Sequence, residues 1–148
     1  MHNTRRLFLK GAAAAAALMA LPRALLAWPD KAFKANSRDD AMQALFGTTD
    51  SSESSAVMLN APDIAENGRV VPISVSSTLE GVTSISILVE QNPSPLAASF
   101  DLGPGAVPEV STRLKMGKTS NVIAVVKADG KLHTAQKEVK VTIGGCGG

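Results

Sequence analysis

The sequence predicts an all-β fold, and three observations carry that prediction. From Ala56 to Ile143, apolar residues alternate with polar ones at the period of half-buried strands. Turn residues separate these runs at regular spacing, and no helical period appears between them. A parallel α/β sheet would need crossover helices, so the strands are expected to pair antiparallel. About seven short strands in this arrangement make an immunoglobulin-like antiparallel β-sandwich. A short N-terminal helical segment precedes it and a flexible C-terminal arm follows. The chain has one cysteine, so the sandwich is expected to lack the usual inter-sheet disulfide.

Residues 1–27 read as a removable export signal rather than as part of that fold. Thr4-Arg5-Arg6-Leu7-Phe8-Leu9-Lys10 is a basic n-region, and Gly11 to Leu21 is an apolar, alanine-rich stretch. Pro22-Arg23-Ala24-Leu25-Leu26-Ala27 ends in a small residue suited to signal peptidase. The apolar stretch is far shorter than the roughly 20 residues of a spanning helix. Arg5-Arg6, with Thr4 before it and Leu-Phe-Leu-Lys after it, matches the twin-arginine type of signal. An ordinary secretory signal that carries two arginines is the alternative. The expectation is a periplasmic protein, exported folded and not bound to a membrane once the signal is gone.

Removing that segment changes the charge. The precursor has 15 Lys and Arg against 13 Asp and Glu, a net +2. Four of the basic residues (Arg5, Arg6, Lys10, Arg23) and none of the acidic ones lie in residues 1–27, leaving 11 against 13, or −2. Nothing in that balance points to nucleic acid or to an anionic membrane surface. The remaining chain of about 120 residues is long enough to bury a modest core without staples.

Residues 28–55 read as an N-terminal helix and a serine-rich linker. Ser37 is the expected N-cap, with Asp39 and Asp40 in the first turn, where carboxylates favour the positive end of the helix dipole. Ala41, Met42, Ala44, Leu45 and Phe46 form an apolar stripe, and Gly47 is the stop. Trp28, Pro29 and Phe33 suit a short earlier turn. Thr48 to Ser55 is a polar linker.

Residues 56–143 are the sandwich domain. Val57-Met58-Leu59 leads into a turn at Asn60-Ala61-Pro62, and Glu66-Asn67-Gly68 marks another. Val71, Ile73 and Val75 alternate with Pro72, Ser74 and Ser76, while Ile85, Ile87 and Val89 alternate with Ser84, Ser86 and Leu88. Asn92-Pro93-Ser94-Pro95 breaks that run. Further strands are expected at 96–102, 107–116, 122–126 and 132–143, with Asp129-Gly130 as a hairpin turn before the last.

The chemistry concentrates in residues 144–148, Gly144-Gly145-Cys146-Gly147-Gly148. Glycine loses the most entropy on ordering, so such a segment resists fixed structure. Nothing but backbone flanks the thiol, and three extended steps from Ile143 reach roughly 10 Å. That is a slim arm able to carry a sulfur into a cleft while the folded body stays outside. No Lys, Arg or His adjoins Cys146, so the thiol is expected to titrate at or above the ordinary cysteine value. Such a thiol suits a covalent carrier activated inside a partner's site, not an enzyme. A disulfide-linked dimer through Cys146 is its other use.

Other candidates are weaker. His133 is the one histidine outside the signal, and one His with one Cys does not make a zinc site, so no metal and no cofactor are expected. Met42, Met58 and Met116 read as packing residues. No Ser-His-Asp set can be assembled.

Several segments resemble the SoxY family: the tail itself, Ala61-Pro62-Asp63-Ile64-Ala65-Glu66-Asn67-Gly68, Val71-Pro72-Ile73, Asn92-Pro93-Ser94-Pro95-Leu96 and Thr112-Arg113-Leu114-Lys115-Met116. The resemblance implies a sulfur carrier of the thiosulfate-oxidising Sox system, with Cys146 as the attachment site and Gly144, Gly145, Gly147 and Gly148 as its arm. It implies a heterodimer with SoxZ, loading by the cytochrome SoxAX, hydrolysis by the manganese-dependent SoxB and, in some organisms, oxidation by SoxCD. Two rival readings stand beside it. An exported immunoglobulin-like interaction module would use its cysteine for an intermolecular disulfide. A ubiquitin-like carrier also ends in Gly-Gly, but it needs ATP and a β-grasp fold.

Overall fold

The computed structural model describes residues 28–143. Two helices come first, α1 (Asp30–Phe33) and α2 (Arg38–Phe46). Nine strands follow: β1 (Ser52–Glu53), β2 (Val57–Asn60), β3 (Ile64–Ala65), β4 (Val71–Ser77), β5 (Val82–Val89), β6 (Leu96–Asp101), β7 (Glu109–Leu114), β8 (Ser120–Ala128) and β9 (Lys131–Val141). Seven of these are the expected strands. The two additional ones are two-residue pairings, and both run parallel to β9.

The strands form two sheets, one ordered β1-β9-β8-β5-β6 with β3 also on β9, the other β2-β4-β7. Their facing sides make the immunoglobulin-like sandwich. Val71, Ile73 and Val75 from the small sheet meet Ile85, Ile87, Val89, Val122, Ala124, Val126 and Val139 from the large one in a single apolar cluster. Alternation along β4 is regular, with its odd-numbered residues inward. The β8–β9 hairpin turns through Asp129 (φ 49°) and Gly130 (φ 73°), both left-handed as a type I′ turn requires.

The large sheet is buried on its outer side too, which corrects the expectation of a half-buried β5. From Ser84 to Val89 every residue of β5 is buried. Leu88, Ile123, Val125 and Leu132 pack there against Ala32, Ala41 and Met42 of the two helices. The helices thus make a third layer. The one hydroxyl fully enclosed in β5, that of Ser86, is paired with Ser99 Oγ at 2.9 Å, so its burial leaves no orphaned polar atom.

Helix α2 is set as its sequence predicts. Ser37 Oγ accepts from the Asp40 amide at 3.1 Å, and Gly47 closes the helix at φ 74°. Trp28 stacks on Phe33 with ring centroids 4.7 Å apart. Of the expected apolar stripe, Ala44 points to solvent, because Ala41 and Met42 alone are centred on the sheet. Met42 and Met116 are core residues, whereas Met58 lies on the outer face of β2, half exposed.

The polar linker is also corrected. Ser52 and Glu53 pair with His133 and Thr134 of β9, although nothing in a run of serines marks a strand. An open edge on β9 supplies the partner that local sequence does not reveal.

Ile87 sits at the middle of the sandwich with no exposure. Ile87→Ala should lower the unfolding free energy by about 2–5 kcal/mol, the usual range for such a cavity. The check is a urea titration, in which the midpoint falls while the slope stays the same.

Candidate functional site

Cys146 and Gly144, Gly145, Gly147 and Gly148 lie outside the described residues, as do Arg5 and Arg6. What the structure defines is the root from which the tail leaves. The chain is held to its last described residue: the Gly68 amide donates to the Ile143 carbonyl at 2.9 Å. One residue earlier, the Thr142 amide donates to Ala65 O at 3.2 Å and its hydroxyl donates to Glu66 O at 3.2 Å. The Val141 amide donates to Thr119 Oγ1 at 3.0 Å, and the Lys140 amide to Asp63 O at 3.0 Å. Strand pairing of Ile64 with Lys140 and Ala65 with Val141 completes the grip.

This geometry follows from how residues 61–70 cross between the sheets. β2 belongs to the small sheet, β3 returns to the large one, and β4 is again in the small sheet. The segment therefore lies across the gap between the sheets and reaches the end of β9. Asn67 Oδ1 accepts from the Arg69 amide at 3.0 Å and shapes the turn. Gly68 then serves both sides, since its carbonyl accepts from the Met116 amide at 2.7 Å.

A second contact set supports the first. Asn92 Nδ2 donates to Lys115 O at 2.7 Å, and its Oδ1 accepts from the Gly117 amide at 3.1 Å. The Val89 amide donates to Pro95 O at 2.8 Å. Segments 61–68, 92–96 and 112–116, far apart in sequence, thus meet around the arm root. These are three of the four stretches outside the tail that carry the family resemblance, Val71-Pro72-Ile73 being the fourth, and their placement gives them a common task.

Lys137 is the side chain that sequence reading missed. It lies on the core-facing side of β9, where an apolar residue is the norm. Its ammonium donates to Ala61 O at 2.6 Å and to Asp63 Oδ1 at 2.9 Å, pinning the crossing segment to β9. A lysine in register with Val139 and Val141 is the signal that points to it. The hydrogen bond from Lys137, with its positive charge, holds the Asp63 carboxyl below the usual aspartate value.

His133 is not part of this site. It pairs with Ser52 near the start of β9, ten residues before Ile143, or roughly 33 Å along an extended strand. Among the described residues no cluster of His, Cys, Asp and Glu is arranged to hold a metal ion. No helix among them is long and apolar enough to cross a membrane.

Because its folded-state pKa is depressed, Asp63 stabilises the fold above its unfolded value, and this is lost as pH falls through the folded value. Asp63→Asn should lower the thermal midpoint slightly at neutral pH, since the pair is exposed on the aspartate side. In acid, below the folded Asp63 pKa, the variant and parent should melt together. Thermal melts across pH provide the check. No difference at neutral pH would assign the clamp to the Ala61 carbonyl alone.

Comparison with known proteins places this architecture. The family model described as sulfur oxidation protein SoxY matches residues 42–146. The solved structure of the sulfur carrier protein SoxY from Chlorobium limicola f thiosulfatophilum is 50% identical, with a TM-score of 0.66, covering 78% of this chain and all of that one. A superoxide reductase (neelaredoxin) from Ignicoccus hospitalis is 20% identical, with a TM-score of 0.53 over 71% of this chain and 92% of that one, a likeness of fold alone. Curated protein sequences contain no significant match. With a family match that runs through the sandwich and the arm root up to Cys146, the chain belongs to the SoxY family of sulfur oxidation proteins.

Proposed function

We propose that this protein is a periplasmic sulfur carrier that holds its cargo covalently on Cys146 and performs no catalysis of its own. One observation carries the reading. Hydrogen bonds hold the backbone up to Ile143, and the sequence beyond it consists of glycine and a single cysteine. A rigid root with a slim thiol-bearing arm is the form a covalent carrier needs. A thiol meant for a structural disulfide gains nothing from flanking glycines.

On this reading the body pairs with SoxZ and travels folded through the twin-arginine route. The cytochrome SoxAX joins thiosulfate to the thiol: an S–S bond forms, the thiol proton is released, and two electrons leave to the haem. The product is a thiosulfonate on Cys146. SoxB then adds water across the terminal sulfur–sulfur bond, releasing sulfate and leaving a persulfide, which SoxCD oxidises further where it is present. No cofactor is held by the carrier. The interaction-module reading remains the competitor, with Cys146 forming an intermolecular disulfide.

Cys146→Ser should abolish thiosulfate-dependent turnover with the fold unchanged. Gly145→Val and Gly147→Val sharpen the test, because each keeps the thiol but adds a branched side chain beside it. Enzymatic loading should fall sharply in both, while reaction with a small free thiol reagent hardly changes. Equal loss in the two assays would mean that the glycines tune the thiol itself, and unchanged loading would refute the slim-arm account.

The export reading has its own check. Arg5→Lys with Arg6→Lys should leave the precursor in the cytoplasm, read by fractionation. Normal export of that variant would overturn the twin-arginine assignment.

A further inference from the structure

The surface around the arm root is basic, although the chain without its signal is acidic overall. Arg69 adjoins Gly68, Lys115 and Lys118 flank Met116 and Thr119, Lys140 bonds to Asp63 through its amide, and Arg113 pairs with Pro72. All five side chains are exposed, and none pairs with a carboxylate among the described residues. Lys137 and Asp63 neutralise one another at this end. The carboxylates left there are Glu66, Glu90 and Glu138, and Glu90 already accepts from Asn121 at 3.1 Å.

The opposite end of the sandwich has the reverse sign. Its loops meet through the Asp129 amide on Gly81 O and the Leu102 amide on Thr83 O. They bring together Glu80, Asp101, Glu109 and Asp129 against Lys127 and Lys131. The molecule is therefore polarised along the sandwich, with its positive end at the arm.

Arm length turns this charge into a contact requirement. Cys146 is three residues beyond Ile143, a reach of roughly 10 Å when extended. Any cleft deep enough to take the thiol near that limit must bring its rim onto the surface from which the arm springs. That surface is the ring of cations. We infer that the arm root is a docking collar, and that the partner enzymes which receive Cys146 present an acidic protein rim around a narrow entrance. The inference rests on Cys146 being the loaded thiol and adds the surface and the partner chemistry to it. Complementary charge of this kind acts mainly on encounter rate and orientation, and it is screened by salt. One collar then serves several enzymes in turn, because a charged, solvated ring binds without deep burial.

The test uses Lys115→Gln with Lys118→Gln, both exposed and outside the strands. Lys127→Gln with Lys131→Gln, at the opposite end of the sandwich, is the matched control for net charge. Loading of Cys146 is measured with the host's own cytochrome loading enzyme and thiosulfate, at low and at high ionic strength. The collar pair should lose about tenfold in kcat/KM at low ionic strength, mostly through KM, and converge on the parent at high salt. The control pair should load like the parent. An equal loss in the control, or unchanged loading in the collar pair, overturns the docking collar. A parallel loss with a small anionic disulfide reagent also overturns it, since the cations would then act on small anions at the thiol. If Cys146→Ser still loads, the carrier reading itself fails, which is a separate result.

Discussion

A strand that leads into a glycine-flanked cysteine gains from being held on both edges. β9 pairs with β8 along one edge; its other edge would be an open ladder of amides and carbonyls, an invitation to further pairing. The chain covers it twice, with β1 at the start and β3 at the end. Both are two residues long, which suffices because β9 needs only local cover. The rest of the N-terminal half is arranged to reach those two places. The chain passes from large sheet to small and back again, β1 to β4, and stitches the layers as it goes.

The same route explains why the large sheet tolerates burial on both sides. With α1 and α2 preceding β1, the helices lie over the outer face of β5 and β8, and Met42, Ile123 and Val125 fill that layer. Each fully buried aliphatic side chain contributes about 1.5–3 kcal/mol of transfer free energy, so two apolar layers on one sheet make β8 and β5 the stiffest part of the molecule. Among the described residues the small sheet has no such cover, and its outer face is polar around Ser74, which is half-buried, and the exposed Ser111 and Arg113. Rigidity is thus graded from the helix-covered sheet outward, and β9 is anchored to its stiffest neighbour.

On the carrier reading, function depends on where the hydrogen-bonded chain gives way to a run of glycine and cysteine. Up to Ile143 each step of the chain is hydrogen bonded to residues 63–68 or to Thr119. After it stand residues with the least intrinsic preference for any conformation. A looser root would let the whole end of β9 fray and would lengthen the arm at the expense of its orientation. A bulkier arm would not enter a narrow cleft. The charge pattern fits the proposed division of labour, in which neutral glycines would go into the partner and the cations would stay at its entrance.

Much of this was legible in the residues alone. Period-two alternation identifies β4, Asp129-Gly130 the last hairpin, and Ser37 with Gly47 the ends of α2, because each depends on interactions within a few residues. The tail stands out by composition, since a lone cysteine among glycines needs no neighbours to be conspicuous. Tertiary structure decided what depends on distant partners. Ser52-Glu53 becomes a strand only because β9 has an edge to offer. Ser84, Ser86 and Leu88 are buried only because helices from 50 residues earlier lie on them. Lys137, a fault in an apolar pattern when read along the chain, is a clamp once Ala61 and Asp63 come within its reach. Local patterns are set by backbone preference and amphipathic period, which sequence carries directly. Which edge is open, which face is covered and which charges gather at one end are set by chain topology, and that is settled only when remote segments pack.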